Sequence, residues 1–312
     1  MPFDVVVAFF ILGVVAKLMR AELTFPKGLS QTLTLFLMIA IGLKGGVALA
    51  DHAHTTLITQ ALAVIAFGVV LPFIAFPILT YFGQLSKVDA ASIAAHYGSV
   101  SVGTYAVAVA VLDSQSIAYE AYFPLFVVLL ELPAIAVGVF LAKGASLGSE
   151  RGKLLHEIFC SQGIVLMLGG LIIGWMWGEQ TQQIMPFFKE LFHGILALFL
   201  LDMGLVAASR LSFLKSTGSF IATFGVIMPL IGSLLGGLLG NLLDLSVGGI
   251  TLLAVLGASA SYIAVPAALR VALPKANMSL SITASLAVTF PFNVLVGIPI
   301  YISYGHWLAI LG

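Results

Sequence analysis

The chain has 312 residues, 13 basic and 13 acidic side chains and no formal net charge, and 61% of its residues are hydrophobic. Soluble domains are about half apolar and about one quarter charged, whereas only 8% of this chain is charged, so a soluble protein is excluded. Charge neutrality gives no reason to expect a nucleic-acid partner. The single cysteine excludes an internal disulfide and a cysteine-based zinc cluster, and we expect no cofactor.

Ten apolar stretches follow one another along the chain, each long enough to cross a bilayer as a helix of about 20 residues. They lie at about residues 4–20, 30–50, 57–81, 88–112, 120–142, 156–177, 190–209, 216–240, 248–272 and 279–304. The sequence therefore predicts an all-α integral membrane protein with ten transmembrane helices. The first is expected to be retained, because its basic residues follow the apolar stretch, the reverse of a secretory signal.

Lysine and arginine are distributed unevenly between the connecting loops. Eleven of the 13 lie in the five loops that follow odd-numbered spans. Because cytoplasmic loops are enriched in these residues, we expect both termini outside a plasma (inner) membrane.

Short motifs recur in the same order in the two halves of the chain. Span 4 contains GSVSVGTYAV (98–107) and span 9 contains GASASYIAV (257–265), while Ile41-Gly42-Leu43 of span 2 matches Met203-Gly204-Leu205 of span 7. An odd number of spans per half gives the halves opposite orientations. The pattern predicts an inverted repeat of five plus five spans, 1–142 and 156–312, joined by a cytoplasmic linker at 143–155. The alternative is that small residues recur because they let membrane helices pack closely.

Spans 4 and 9 are predicted to be broken helices. Pro266 disfavours a continuous helix in span 9, and span 4 has glycines at positions 98 and 103 with Ser99, Ser101 and Thr104 as candidate caps. A break leaves backbone N–H groups and about half a positive charge at each new N-terminus, which favours an anion. Such breaks in an inverted repeat are typical of secondary transporters. The alternative is a simple proline kink, with the serines bonded to carbonyls of the preceding turn.

Three ionisable residues lie well inside spans, where a charge costs about 2.5–3.5 kcal/mol: Lys44, Glu131 and Asp202. Lys44 is expected either to form an ion pair with Glu131 or Asp202 or to contact the substrate. Glu131 and Asn293 each follow the Ser-x-Ser of their half by 30-odd residues, and their oxygens suit a small cation such as sodium.

Three further side chains lie near the predicted breaks. His96 is either a proton carrier or, as we favour, a hydrogen-bonded helix residue. Tyr105 and Tyr262 either line the site or fill space beside it. The glycines spaced by four at 232, 236 and 240, and at 170 and 174, are expected to be packing faces.

An intramembrane serine hydrolase is the enzyme to consider, because of Ser99, Ser101 and His96. The nucleophile motif G-x-S-x-G is absent, since Ser99 rather than glycine precedes Ser101 by two residues. The sequence also lacks H-E-x-x-H, a phosphate-binding loop and paired membrane aspartates. We therefore expect a protein that is not an enzyme.

Five motifs resemble those of the sodium-dependent bicarbonate transporter family. They are IGLKGGVAL (41–49), HYGSVSVGTYAVAVAVL (96–112), LELPAI (130–135), GASASYIAVPAALRVALPKAN (257–277) and TFPFN (289–293). The resemblance covers essentially the whole chain. It implies a core domain of spans 3–5 and 8–10, a gate domain of spans 1, 2, 6 and 7, elevator-type movement between them, and a homotrimer.

The resemblance also implies positions for both ions. Bicarbonate would lie between the two breaks, held by Gly98, Ser99, Val100, Ser101, Ala258, Ser259, Ala260 and Ser261. Sodium would lie near Glu131 and Asn293, and we add Thr104, Tyr262 and Lys44 to the candidate coupling site.

The chain departs from the family's cyanobacterial members in three respects. Tyr262 stands where they have an aspartate and Lys44 where they have a threonine, so a fixed charge on Lys44 could replace one cation. The linker is also short, so the resemblance does not by itself imply a PII-like regulatory partner. We expect a sodium-driven importer of bicarbonate; the alternatives are a carrier of another small anion, such as a short carboxylate, or an anion channel.

Overall fold

A computed structural model describes residues 4–51, 55–144 and 159–311, together with residues 152 and 156. The predicted linker at 143–155 lies mostly outside the described residues. Within the described part of the chain every regular element is helical and no strand occurs. The prediction of an all-α protein is confirmed.

Among the residues that the structure describes, six helices belong to the first half and six to the second. Helices α1 to α6 are Val5–Leu18, Lys27–Asp51, Thr55–Pro77, Lys87–Gly98, Val102–Ser114 and Phe123–Lys143. Helices α7 to α11 are Gln162–Trp177, Met185–Thr217, Ser219–Leu242, Val247–Ala258 and Ala264–Ala272. The last helical stretch, residues 278–311, is α12, which contains two π-helical segments, Thr283–Thr289 and Asn293–Gly297.

Hydropathy and length together make this a multi-pass membrane protein. Eight helical stretches of the described residues are long and apolar enough to cross a membrane, and α1 and α10 are shorter apolar helices. Helix α8 extends beyond the predicted span 190–209 at both ends. The reason is that hydropathy falls at Lys189 and Arg210, whereas backbone hydrogen bonding continues past these charges.

Two helix pairs form one side of the molecule, and glycine allows the close approach in each. In the α1–α8 pair a Cβ on Gly13 would overlap the backbone carbonyl of Leu201. In the α2–α7 pair a Cβ on Gly42 would overlap the carbonyl of Met167, and one on Gly174 the carbonyl of Leu43. Small residues let membrane helices gain dispersion contacts at such crossings.

The other side of the molecule contains α3 to α6 and α9 to α12. Helix α9 packs on α10 through its glycines, since a Cβ on Gly232 or Gly236 would overlap the carbonyls of Gly257 and Leu253. The prediction that these glycines form packing faces is confirmed.

Helix α12 attaches to its neighbours through buried polar side chains that recur every four residues. Ser281 shares a 2.9 Å hydrogen bond with Ser92 of α4. Thr289 bonds to the Tyr97 hydroxyl at 2.7 Å and donates to the carbonyl of Gly225 at 2.7 Å. These bonds hold α12 against α4 and α9, directly behind the interrupted helices.

Candidate functional site

The first helix interruption lies between α4 and α5. Helix α4 ends at Gly98, residues 99–101 are not helical, and α5 begins at Val102. The Ser101 hydroxyl caps α5 by accepting the Thr104 backbone N–H at 3.1 Å. This is the capping role that the sequence suggested for Ser101.

The second interruption lies between α10 and α11. Helix α10 ends at Ala258, residues 259–263 are not helical, and α11 begins at Ala264. The Val265 N–H lies 3.5 Å from the Ser261 hydroxyl. Pro266 falls in the first turn of α11, where the N–H that proline lacks would have no helical partner.

The two interruptions contact each other through two hydrogen bonds that run in opposite directions. The Ser101 N–H donates to the Ser259 hydroxyl at 3.0 Å, and the Ser261 N–H donates to the His96 carbonyl at 2.8 Å. The Ser259 hydroxyl in turn donates to the Leu256 carbonyl at 2.9 Å. The structure therefore brings residues 98–101 and 258–261 together in one buried place.

Two hydroxyl groups at the first interruption are buried without a protein partner. Among the residues that the structure describes, no hydrogen-bonding group reaches Ser99 Oγ or Thr104 Oγ1. A buried polar atom left in this state costs about 1–3 kcal/mol. Both hydroxyls are available to a ligand with oxygen atoms, so the first interruption is a place where a polar ligand can bind.

Asn293 reaches the second interruption from α12. Its side-chain Nδ2 donates to the Ala258 carbonyl at 2.8 Å, and its Oδ1 accepts the Tyr301 hydroxyl at 2.8 Å. Ala258 is the last residue of α10, so its carbonyl accepts no hydrogen bond from within the helix. The Asn293 amide supplies the missing donor. Asn293 fixes the second interruption in place.

Tyr262 extends from the second interruption towards the first. Its ring packs edge-on against Phe290 with centroids 5.5 Å apart. A Cβ added to Gly103 would lie 2.6 Å from the Tyr262 hydroxyl oxygen and 2.8 Å from Phe199. Tyr262 therefore fills the space next to the first turn of α5.

Glu131 is buried at the boundary between α6 and α7. A Cβ on Gly163 would lie 3.7 Å from its Oε1, and Met38 of α2 is also close to Gly163. Its Oε2 has no hydrogen-bond partner among the described residues. Glu131 thus belongs to α6 and faces the start of α7, whereas Asn293 belongs to α12 and contacts the end of α10.

The predicted ion pair of Lys44 with Glu131 or Asp202 is wrong. Lys44 Nζ lies 3.8 Å from Asp113 Oδ2 and 3.0 Å from the Tyr119 hydroxyl. Asp202 lies beside Ser30, which precedes Lys44 by 14 residues, or about 21 Å along α2. Glu131 lies near Met38, which precedes Lys44 by about 9 Å along the same helix. Neither carboxylate is within reach of the ammonium group.

The partners of Lys44 are Asp113, in the last turn of α5, and Tyr119, in the segment that follows α5. Burial raises the pKa of the Tyr119 phenol, and the nearby Asp113 carboxylate raises it further, so this hydroxyl stays neutral. Asp113 was not singled out from the sequence, because it lies at the end of an apolar stretch where a solvated charge is ordinary. Its spacing of eight residues from Tyr105, on the same face of α5, is the signal that could have found it.

His96 has the role that we favoured from the sequence. Its Nδ1 lies 2.7 Å from the Ser92 carbonyl one turn earlier, so that nitrogen carries the proton and donates. Its backbone carbonyl accepts the Ser261 N–H of the second interruption. His96 is thus a helix residue hydrogen-bonded through Nδ1 and its carbonyl, and its Nε2 is buried without a partner among the described residues.

Two buried helix interruptions meet within the multi-pass helical bundle, an arrangement typical of secondary transporters. Their backbone and hydroxyl groups offer hydrogen bonds to a small ion. The chain belongs to the Na+-dependent bicarbonate transporter superfamily, whose family model matches residues 5–306, nearly the whole chain, and this membership makes it a transporter and not an enzyme. A search of curated proteins found no significant match.

Proposed function

We propose that the chain is a secondary active transporter that imports bicarbonate together with sodium. One observation carries the proposal: the interruptions are joined by the Ser101 and Ser261 N–H groups, and the Ser99 and Thr104 hydroxyls remain buried there without partners. The family supports transport of the bicarbonate type.

The anion is proposed to lie between the N-termini of α5 and α11. Each new helix start adds backbone N–H donors and about half a positive charge. The donors and hydroxyls of residues 98–101 and 258–261 would surround it. Ser99 is the strongest candidate among them, because its hydroxyl has no competing partner in the described part of the chain.

The two interruptions are proposed to be the broken helices of a five-plus-five inverted repeat with ten spans. Packing supports this interpretation, because α1 pairs with α8 as α7 pairs with α2. A motif that the sequence reading missed supports it further: FGVVLP (67–72) in α3 and FGVIMP (224–229) in α9. The glycine of the first motif faces Leu130 and Pro133 of α6, and that of the second faces Val288 and Thr289 of α12.

Sodium is proposed to bind beside the anion, near Thr104 and Asn293. Hard cations prefer oxygen ligands, and both residues offer a side-chain oxygen. Tyr262, in the second interruption, stands where cyanobacterial members have an aspartate, so this site would use neutral oxygens. Glu131 is a second candidate for coupling, because a cation next to its buried carboxylate would balance the charge.

Coupling one sodium to one bicarbonate makes the moving complex electrically neutral. Each uncompensated charge would change the driving force by about 2.3 kcal/mol per 100 mV. We propose that helices α3 to α6 and α9 to α12 form the core that carries both ions, and that it moves past a gate of α1, α2, α7 and α8. In this proposal the protein is a homotrimer in the plasma membrane with both termini outside.

The test is uptake of labelled bicarbonate into proteoliposomes. A saturable rate that falls to background when choline replaces sodium supports the proposal. Equal uptake in choline contradicts sodium coupling, and a rate that does not saturate contradicts a carrier and favours a channel. Competition by short carboxylates at lower concentrations than bicarbonate would assign the other small anion as substrate.

A further inference from the structure

A cavity of about 420 Å³ lies between α2 and α8 on one side and α5 with the following segment on the other. The face of α5 that lines it carries Tyr105, Val109 and Asp113, one residue per turn. Tyr105 comes four residues after Ser101, or about 6 Å along the helix axis. The cavity therefore extends from within one turn of the first interruption to the far end of α5.

The charged side chains that line this cavity carry an excess of one positive charge. Lys44 and Lys189 contribute to its wall, and Asp113 is the only carboxylate among the described residues that line it. A concave surface with excess positive charge concentrates small anions. The composition of the wall thus favours an anion over a cation.

Lys44 presents unused donors to the cavity. An ammonium group has three N–H donors, and one bond goes to the Tyr119 hydroxyl at 3.0 Å. The 3.8 Å separation from Asp113 Oδ2 is longer than a hydrogen bond. The side chains of Lys44 and Asp113 are 55% and 39% exposed, and such loose exposed pairs contribute little to stability, so a purely structural role does not account for the lysine.

We propose that this cavity is a capture site for a small oxyanion, in which Lys44 binds the anion before it reaches the interruptions and Asp113 competes with it for the ammonium group. The inference rests on the proposed function for the identity of the anion, bicarbonate. It adds a specificity-determining residue from α2, on the gate side, outside the site between the interruptions.

Transport kinetics test the two charges separately. Lys44→Gln should raise the half-saturating bicarbonate concentration about tenfold with the maximal rate within about twofold, because capture rather than translocation is lost. Lys44→Arg should stay within about twofold of the wild type, and Asp113→Asn should lower the half-saturating concentration about threefold, since the competing carboxylate is gone. Lys87→Gln, an exposed lysine at the start of α4, is the matched control and should change neither value. An unchanged half-saturating concentration in Lys44→Gln, or equal losses in Lys44→Gln and Asp113→Asn, would overturn the proposal.

A second experiment on the wild-type protein does not depend on transport. Acetylation of Lys44 by an amine-reactive ester is measured by peptide mass spectrometry, relative to Lys87 in the same molecules. Millimolar bicarbonate should slow Lys44 acetylation severalfold compared with a bulky sulfonate buffer at equal ionic strength, and an unchanged ratio would overturn the capture site. If bicarbonate protects Lys44 but is not taken up, the proposed function fails and the capture site stands.

Discussion

The two helix interruptions use serine in different ways. At the second interruption both serines are engaged, because Ser259 bonds to Leu256 and Ser101 while Ser261 bonds to His96 and lies near the Val265 N–H. At the first interruption Ser101 caps α5, but the Ser99 hydroxyl has no partner among the described residues.

The second interruption is also packed more rigidly than the first. Gly257 meets the backbone of α9, whereas Gly103 meets the ends of the Tyr262 and Phe199 side chains. Backbone contacts cannot adjust as side-chain ends can. The second interruption is thus a fixed frame, in which the Tyr262 hydroxyl is the buried group without a partner among the described residues, whereas the first offers the hydroxyls of Ser99 and Thr104 to a ligand.

The largest expected effect comes from adding a methyl group to the frame. In Gly257→Ala the new Cβ would overlap the Gly232 carbonyl and approach Phe67, which should lower the free energy of unfolding by about 3 kcal/mol. Thermal unfolding in detergent measures the change. The control is Gly194→Ala, at a position where no atom lies within 4 Å of the added Cβ, and it should be neutral or slightly stabilising. Equal melting temperatures for the two variants would contradict the conclusion that the second interruption is a fixed frame.

Ser259→Ala should act mainly on stability. It leaves the buried Ser101 N–H without its acceptor, at a cost of about 1–3 kcal/mol in the free energy of unfolding. The measurement is again thermal unfolding, with Ser303→Ala as the control, because the Ser303 hydroxyl is exposed and bonds only to the Pro299 carbonyl of its own helix. A Ser259→Ala protein as stable as the wild type would show that the bond between the interruptions contributes nothing.

Gly103→Ala tests the contact between the first turn of α5 and Tyr262 of the second interruption. The added Cβ should cost about 1–2 kcal/mol of stability, because Tyr262 and Phe199 must shift. Combining it with Tyr262→Phe removes the oxygen that the Cβ meets first and should recover about half of the loss, a coupling that a double-mutant cycle measures. Strictly additive losses would mean that the two residues do not touch.

Ser99→Ala should have the smallest effect and a different kind of effect. Its hydroxyl has no protein partner to lose, so stability should change by less than about 0.5 kcal/mol. The half-saturating bicarbonate concentration should rise about fivefold, which corresponds to one lost hydrogen bond of about 1 kcal/mol. Uptake kinetics and melting curves on the same preparation separate the two quantities, and a loss of stability with unchanged affinity would assign Ser99 to the frame.

The sequence was sufficient to predict an all-helical membrane protein, because hydropathy reports long apolar helices. The predicted breaks rest on the backbone preferences of Pro266 and Gly98 and on the capping hydroxyl of Ser101, and the helices that end at Gly98 and Ala258 are consistent with them. These are local properties, in which each residue acts on its immediate neighbours.

Partner choice could not be predicted in the same way. Lys44, Glu131 and Asp202 were grouped because all three are charged and lie within spans, but contact depends on depth and rotation along helices that are far apart in sequence. The different hydrogen bonding of Ser99 and Ser259 could not be predicted for the same reason, because two similar motifs contact different neighbours in the two halves of the chain. The repeated FGV motif was visible in the sequence, but its use became clear only when Gly68 and Gly225 were found in corresponding contacts.

The opposed hydrogen bonds between the interruptions have a consequence for the energetics of a transport cycle. Because Ser101 is tied to Ser259 and Ser261 to His96, the two interruptions cannot separate without breaking buried bonds. In a carrier of the proposed kind, the ion would keep the same hydrogen-bond donors throughout its passage. Only the solution to which the site is open, outside or inside, would change. Without a membrane potential, the dissociation constant should then be the same whether the ion enters from outside or from inside.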